Sequence, residues 1–176
     1  RLLICGAKSF FYTDNEGVTI QEANGLEALD DWGNTIRSVI KNDDQNTIYL
    51  LVREWDYQNW NAACAIYKSI DHGENFEKVV MFENDSGYDM WTSRYVESDV
   101  YVLNNSQIYI LNSNDQLDEL GNISTFESGD NMLTGGFDEN IFLYAKVGER
   151  IYFSDDGGLN WLDKGNQPQW TFMSNS

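Results

Sequence analysis

A chain of 176 residues is long enough for one domain with a real core, and its 29 acidic against 11 basic side chains give a formal charge of −18. The few cations are scattered, so nucleic acid and anionic membrane surfaces are not expected partners; the charge mainly keeps the chain in solution. The longest apolar run, Ile48-Tyr49-Leu50-Leu51-Val52, is far too short to cross a bilayer, so no direct membrane insertion is expected.

Short runs of Val, Ile, Tyr and Phe alternate with clusters of Asn, Asp, Gly and Ser along the whole chain, and Pro168 is the single proline. That is an all-β pattern with closely spaced turns. The chain opens on Arg1 and not Met, and reads as a processed or excerpted piece of something longer. Residues 2–5, 10–12 and 19–21 read as the first strands. The stretch 21–29 has weak helical spacing, is broken by Gly25, and reads as loop. Strands follow at 36–40, 48–51, 66–68 and 76–81, then at 90–95, 100–103, 109–111 and 117–120. A last set lies at 132–136, 141–144, 151–153 and 160–162, with one more strand at 169–174. Runs such as 48–51 and 100–103 are apolar throughout, as expected of strands buried on both faces.

Two turns share one pattern. Tyr67-Lys68-Ser69-Ile70-Asp71-His72-Gly73-Glu74-Asn75-Phe76 and Tyr152-Phe153-Ser154-Asp155-Asp156-Gly157-Gly158-Leu159-Asn160-Trp161 both read Ser-x-Asp-x-Gly-x-x-aromatic after a Tyr. At this spacing the carboxylate and hydroxyl can bond the turn amides, the glycine supplies a positive φ, and the ring folds back over the turn. Weaker copies start at Thr13 and Asn112, so the starts at 13, 69, 112 and 154 are separated by 56, 43 and 42 residues. A period of roughly 40–50 residues made of four short strands is the signature of a propeller blade. The expected fold is an all-β propeller, with 1–176 a single partial domain of about three and a half four-stranded blades. These lie near 1–22, 36–82, 90–121 and 131–163, plus the strand at 169–174.

These turns resemble the Asp-box, or bacterial neuraminidase repeat, of sialidase-like, sortilin-type and family 74 glycoside hydrolase propellers. The stretch 36–40 followed by Asp43-Asp44-Gln45-Asn46-Thr47-Ile48-Tyr49 is similar to a strand-turn-strand phrase of the same group. The resemblance implies structural roles for Ser69, Asp71, Gly73, Phe76, Ser154, Asp156, Gly158 and Trp161. It also implies a secreted or cell-surface protein, and further blades in the remainder of a longer parent chain.

In a propeller the box turns share one face with the loops joining the first and second strands of each blade. Ligands, by the resemblance, bind the opposite face. There one insertion stands out: Glu54-Trp55-Asp56-Tyr57-Gln58-Asn59-Trp60-Asn61 lengthens one loop, and Asp30-Asp31-Trp32 lies on the same side. Aromatic platforms beside carboxylates suit sugar rings and suit protein contacts equally. Trp32, Trp55, Asp56, Tyr57 and Trp60 are therefore the candidate ligand-binding residues. The expected function is a binding or scaffold module for glycan or protein ligands. The alternative is part of a glycoside hydrolase, with acids such as Asp31, Glu54 and Asp56 available but no catalytic pair assigned.

His72 is the only histidine, which excludes a His-dependent triad or multi-His metal site within the chain. No phosphate-binding or dinucleotide fingerprint and no calcium loop is present, so no cofactor and no metal are expected. Cys5 and Cys64 lack zinc spacing and read as two buried thiols on strands.

Overall fold

The computed structural model describes residues 1–41, 46–56, 60–82, 88–92, 100–104, 106–123, 132–135 and 142–166. Its strands form four antiparallel sheets taken in chain order. The first holds β1 (Leu2–Cys5), β2 (Phe10–Thr13) and β3 (Gln21–Glu22), and is followed by a 3-10 turn, Glu27–Asp30. The second holds β4 (Thr35–Lys41), β5 (Ile48–Asp56), β6 (Asn61–Ser69) and β7 (Glu77–Phe82). The third is β8 (Tyr88–Thr92), β9 (Val100–Asn104), β10 (Gln107–Leu111) and β11 (Leu117–Asn122). The fourth is β12 (Met132–Gly135), β13 (Leu143–Val147), β14 (Arg150–Ser154) and β15 (Leu162–Asn166). In the last three sheets each strand pairs with the one before it, so every unit is a four-stranded meander.

The period-2 alternation of the central strands explains how the sheets stack. Along β5, Ile48, Leu50 and Val52 join Phe10, Ala65, Tyr67 and Phe76 in one apolar layer, against the first sheet. The intervening Tyr49 and Leu51 turn the other way, joining Ile66, Val100, Val102 and Leu111 in a layer against the third sheet. Along β9 the pattern repeats, with Tyr101 and Leu103 facing Leu143, Ala145 and Tyr152 of the fourth. A strand can be apolar throughout only because it has a neighbour on both sides. The first strands of successive sheets adjoin, β4 beside β8 and β8 beside β12, and the Asp89 side chain on β8 accepts from the Leu133 N–H of β12 at 2.8 Å.

Several expectations change. The stretch 21–29 begins in β3 and runs into the 3-10 turn at Glu27, with Leu26 and Leu29 buried against the first layer. Gly25 is what sets it: at φ +80 it lies so close to the Phe76 carbonyl that a β-carbon would sit 1.9 Å from that oxygen. In the long loop of the second unit, residues 54–56 and Asn61 are strand. Glu54↔Ala63, Trp55↔Ala62 and Asp56↔Asn61 continue the β5–β6 ladder after β4 and β7 have ended. Apolar and polar residues still alternate there, which signals strand, while the tryptophans drew the reading toward loop. The fourth unit is shifted, with β13 and β15 beginning two residues later than expected. Cys64 is buried, but Cys5 is exposed because β1 is an edge strand. The expected strand at 169–174 lies outside the described residues.

Leu51 is fully buried in the second layer. Leu51→Ala should lower the melting temperature by roughly 5–15 °C in a thermal scan, the usual cost of an emptied core leucine. Val18→Ala, at an 81% exposed position, should leave it unchanged.

Candidate functional site

The two Ser-x-Asp-x-Gly turns close in the same way. The Ser69 hydroxyl donates to Asp71 Oδ1 at 2.7 Å and accepts from the Gly73 N–H at 2.9 Å. Asp71 then accepts from the backbone N–H groups of Glu74 and Asn75 and from the Asn75 side chain. Ser154, Asp156, Gly158 and Asn160 repeat this network. The first weak copy uses Thr13 for Ser and Asn15 for Asp, with the same bonds to Gly17 and Thr19. The copy at Asn112 keeps only the side-chain acceptor, which takes the Asn114 and Gln116 N–H groups.

The rings do different work. Phe76 is buried edge-on against Phe10 of the first sheet, with centroids 5.1 Å apart. Trp161 donates from Nε1 to the Gly158 carbonyl at 2.9 Å. Burial alone would raise the Asp71 carboxyl, but the Asn75, Ser69 and Glu74 donors outweigh it and hold the group at about 2. The Asn160 backbone and side-chain donors, with Ser154, bring Asp156 to about 2 as well. These side chains are consumed by the turn, which leaves them little to offer a ligand.

Hydrogen bonds between connections sort the loops into two faces. The His72 N–H of the β6–β7 turn donates to the Asn46 carbonyl in the β4–β5 connection at 3.0 Å, so these two share a face. At the other end, the Lys8 ammonium from the β1–β2 loop reaches the Asp31 carbonyl at 2.8 Å. Asn34 binds both ways: its Nδ2 donates to the Ala28 carbonyl at 2.7 Å, and its Oδ1 accepts from the Trp55 N–H. The Gly33 turn, at φ +93, lies against the Trp55 side chain. Trp32 and Trp55 therefore stand on adjoining, tied segments.

Trp32 is 80% exposed and Trp60, in a left-handed conformation at the hairpin end, is 78% exposed. Trp55 is half-buried, with the Arg53 guanidinium over its ring at 5.6 Å. Tyr57 lies outside the described residues, and so does the side-chain environment of Asp56. A cavity of about 250 Å³ opens beside the 3-10 turn, with Phe10, Leu26 and Leu29 apolar and Lys8, Glu27 and Asp30 at its polar edge.

Two carboxylates emerge that the spacing of acids did not single out by role. Glu54 is buried, held by the Tyr67 hydroxyl on one oxygen and by the Lys78 ammonium at 2.7 Å on the other. Burial, and then the bond to Glu54, push the Tyr67 hydroxyl well above its ordinary range. Asp89 is raised by burial, against the pull of the Leu133 and Met90 amides. The signal for Glu54 was its place in alternation with Leu50 and Val52, which marks an inward position. Among the described residues, no three His, Cys, Asp or Glu side chains converge as metal ligands.

No protein-family profile and no curated protein matches the chain. Among solved structures it is similar to an oligogalacturonate lyase in complex with manganese, at 10% sequence identity and a TM-score of 0.54. The match covers 91% of this chain and 48% of that one, so the chain spans about half the length of its structural neighbour. At that identity the likeness concerns fold alone. With the stacked four-stranded meanders, it makes this an all-β, propeller-type architecture.

Asp71 and Asp156 both titrate lower in the folded chain than the ordinary value of about 4, so their stabilisation is complete above that pH and is lost as pH falls toward 2. Melting temperature followed from pH 5 to pH 2 should fall more steeply for the native chain than for the Asp71→Asn/Asp156→Asn double variant. At neutral pH, Ser69→Ala should cost about 1–2 kcal/mol, since it strands a buried Gly73 N–H.

Proposed function

We propose that this chain belongs to an exported or cell-surface Asp-box propeller acting as a binding module for glycan or protein ligands, through the face bearing Trp32, Trp55, Tyr57 and Trp60. The observation that carries this reading is the Asn34 link. It fixes the Trp32 segment to the base of the Trp55–Trp60 hairpin, so exposed indoles sit on a tied framework. Anchoring lowers the ordering cost of binding, and indole faces suit the apolar faces of sugar rings. The shared hydrogen-bond network of the Ser69 and Ser154 turns supports the Asp-box assignment.

The hydrolase alternative gains no support from Glu54, whose two oxygens are both engaged below the face. A binding module needs no such carboxylate pair. A glycan array with a parallel hydrolysis assay tests the reading. Binding without turnover is expected, with Trp32→Ala and Trp60→Ala each weakening affinity about tenfold or more, roughly 1.4 kcal/mol. Ser69→Ala should leave affinity unchanged. Turnover abolished by Asp31→Asn or Asp56→Asn would reverse the conclusion in favour of an enzyme, and silence on every glycan would direct the face to protein ligands.

A further inference from the structure

The cavity beside the 3-10 turn has a continuous rim. Three segments surround it: residues 8–10, residues 22–24, and the 3-10 turn with Leu26. The Ala23 N–H donates to the Phe10 carbonyl at 2.9 Å, which joins the first two. The Lys8 ammonium reaches the Asp31 carbonyl at 2.8 Å, which joins the β1–β2 loop to the end of the turn. Because 22–31 is unbroken backbone, the rim closes on itself. Phe10, Leu26 and Leu29 belong to the apolar layer against the first sheet and give the cavity a floor. The result is a cup with one mouth, and the exposed Trp32 follows directly on the carbonyl that completes its rim.

Size and lining narrow what fits. At about 250 Å³ the cup falls below the roughly 300–1,000 Å³ of sites that enclose a whole drug-sized molecule, so it holds one ring and not several. Its wall is mostly polar, which suits neither a lipid tail nor a fused aromatic body. Glu22, Glu27 and Asp30 supply acceptors from exposed positions. Glu27 Oε1 takes the Gly25 N–H at 3.3 Å, which steadies the carboxylate while its second oxygen can take a ligand hydroxyl. The Lys8 ammonium, with three donors, has N–H groups to spare after its bond to Asp31. Carboxylates and an ammonium around a polyol ring make charge-assisted hydrogen bonds to neighbouring hydroxyls. Three carboxylates against one ammonium also give the cup a negative field, which disfavours a ligand carboxylate.

We propose that this cup takes the terminal ring of a neutral oligosaccharide, with the next unit lying on the Trp32 indole. The proposal rests on the reading of the tryptophan face as glycan-binding, and adds to it a mode and a selectivity. A cup with one mouth admits an end, whereas an internal unit needs a way out on both sides. The apolar floor meets one face of the ring, and the polar rim meets its hydroxyls. An end that carries a carboxylate is rejected by the field of Glu22, Glu27 and Asp30.

Titration calorimetry on the full chain tests this with neutral tetrasaccharides of glucose, galactose and mannose. Each is offered intact and with a carboxylate placed at one end or at the other. At least one intact tetrasaccharide should bind, and a carboxylate at one of its two ends should weaken binding by about tenfold or more. Glu27→Gln/Asp30→Asn should weaken the intact form by about tenfold and shrink the penalty of the carboxylate, with the melting temperature unchanged. Trp32→Ala should weaken every form and leave that penalty in place. A carboxylate tolerated at both ends, or binding that ignores the Glu27 and Asp30 substitutions, overturns the cup and leaves the tryptophan face a glycan site. Binding of no tetrasaccharide overturns the proposal together with the glycan reading beneath it.

Discussion

Every strand in the middle of this molecule depends on having an apolar surface on both sides of its sheet. Leu50, Leu51 and Val52 are all fully buried although they are consecutive in the chain, which no single two-layer packing allows. The chain satisfies this by stacking sheet on sheet, each meander covering one face of the next. Hydrogen bonds within a meander give it shape, but the layers between meanders hold the stack together. The stack is therefore cooperative along its length, since no sheet buries its apolar residues alone.

The serine-aspartate turns serve that stacking. Gly73 and Gly158 adopt positive φ, where a glycine is the least costly residue, and both also lie where a neighbouring sheet presses close. A β-carbon on Gly73 would meet the Phe10 ring at 2.8 Å, and one on Gly158 would meet Leu120 at 2.9 Å. The turn closes the end of one meander and leaves a hollow for a side chain of the previous one. Arg1 reinforces this contact at the first joint, pairing with Asp14 on its own sheet and with Glu74 across the gap at 2.6 Å. One motif thus ends a hairpin and seats it against its neighbour.

Much of this was legible in the residues. The period of the turns, the continuous apolar runs and the Ser-x-Asp-x-Gly spacing led to stacked four-stranded units, because each is a local consequence of strand alternation and turn chemistry. The division of loops into two faces was also readable, since it follows from topology. What escaped were features decided by contacts distant in sequence. The β5–β6 ladder continues past its flanking strands because Asn34, twenty-one residues away, takes the Trp55 N–H. Glu54 is held inside by Lys78 and Tyr67, which its immediate neighbours do not reveal. Cys5 is exposed because β1 stands at the edge of its sheet, which strand alternation alone does not reveal.

The prolonged β5–β6 ladder makes the tryptophan-bearing face lopsided. Three residue pairs beyond the ends of β4 and β7 amount to a ribbon about 10 Å tall, at roughly 3.3 Å per residue. Trp55 lies on this ribbon and Trp60 at its end, both beyond the level at which β4 and β7 stop.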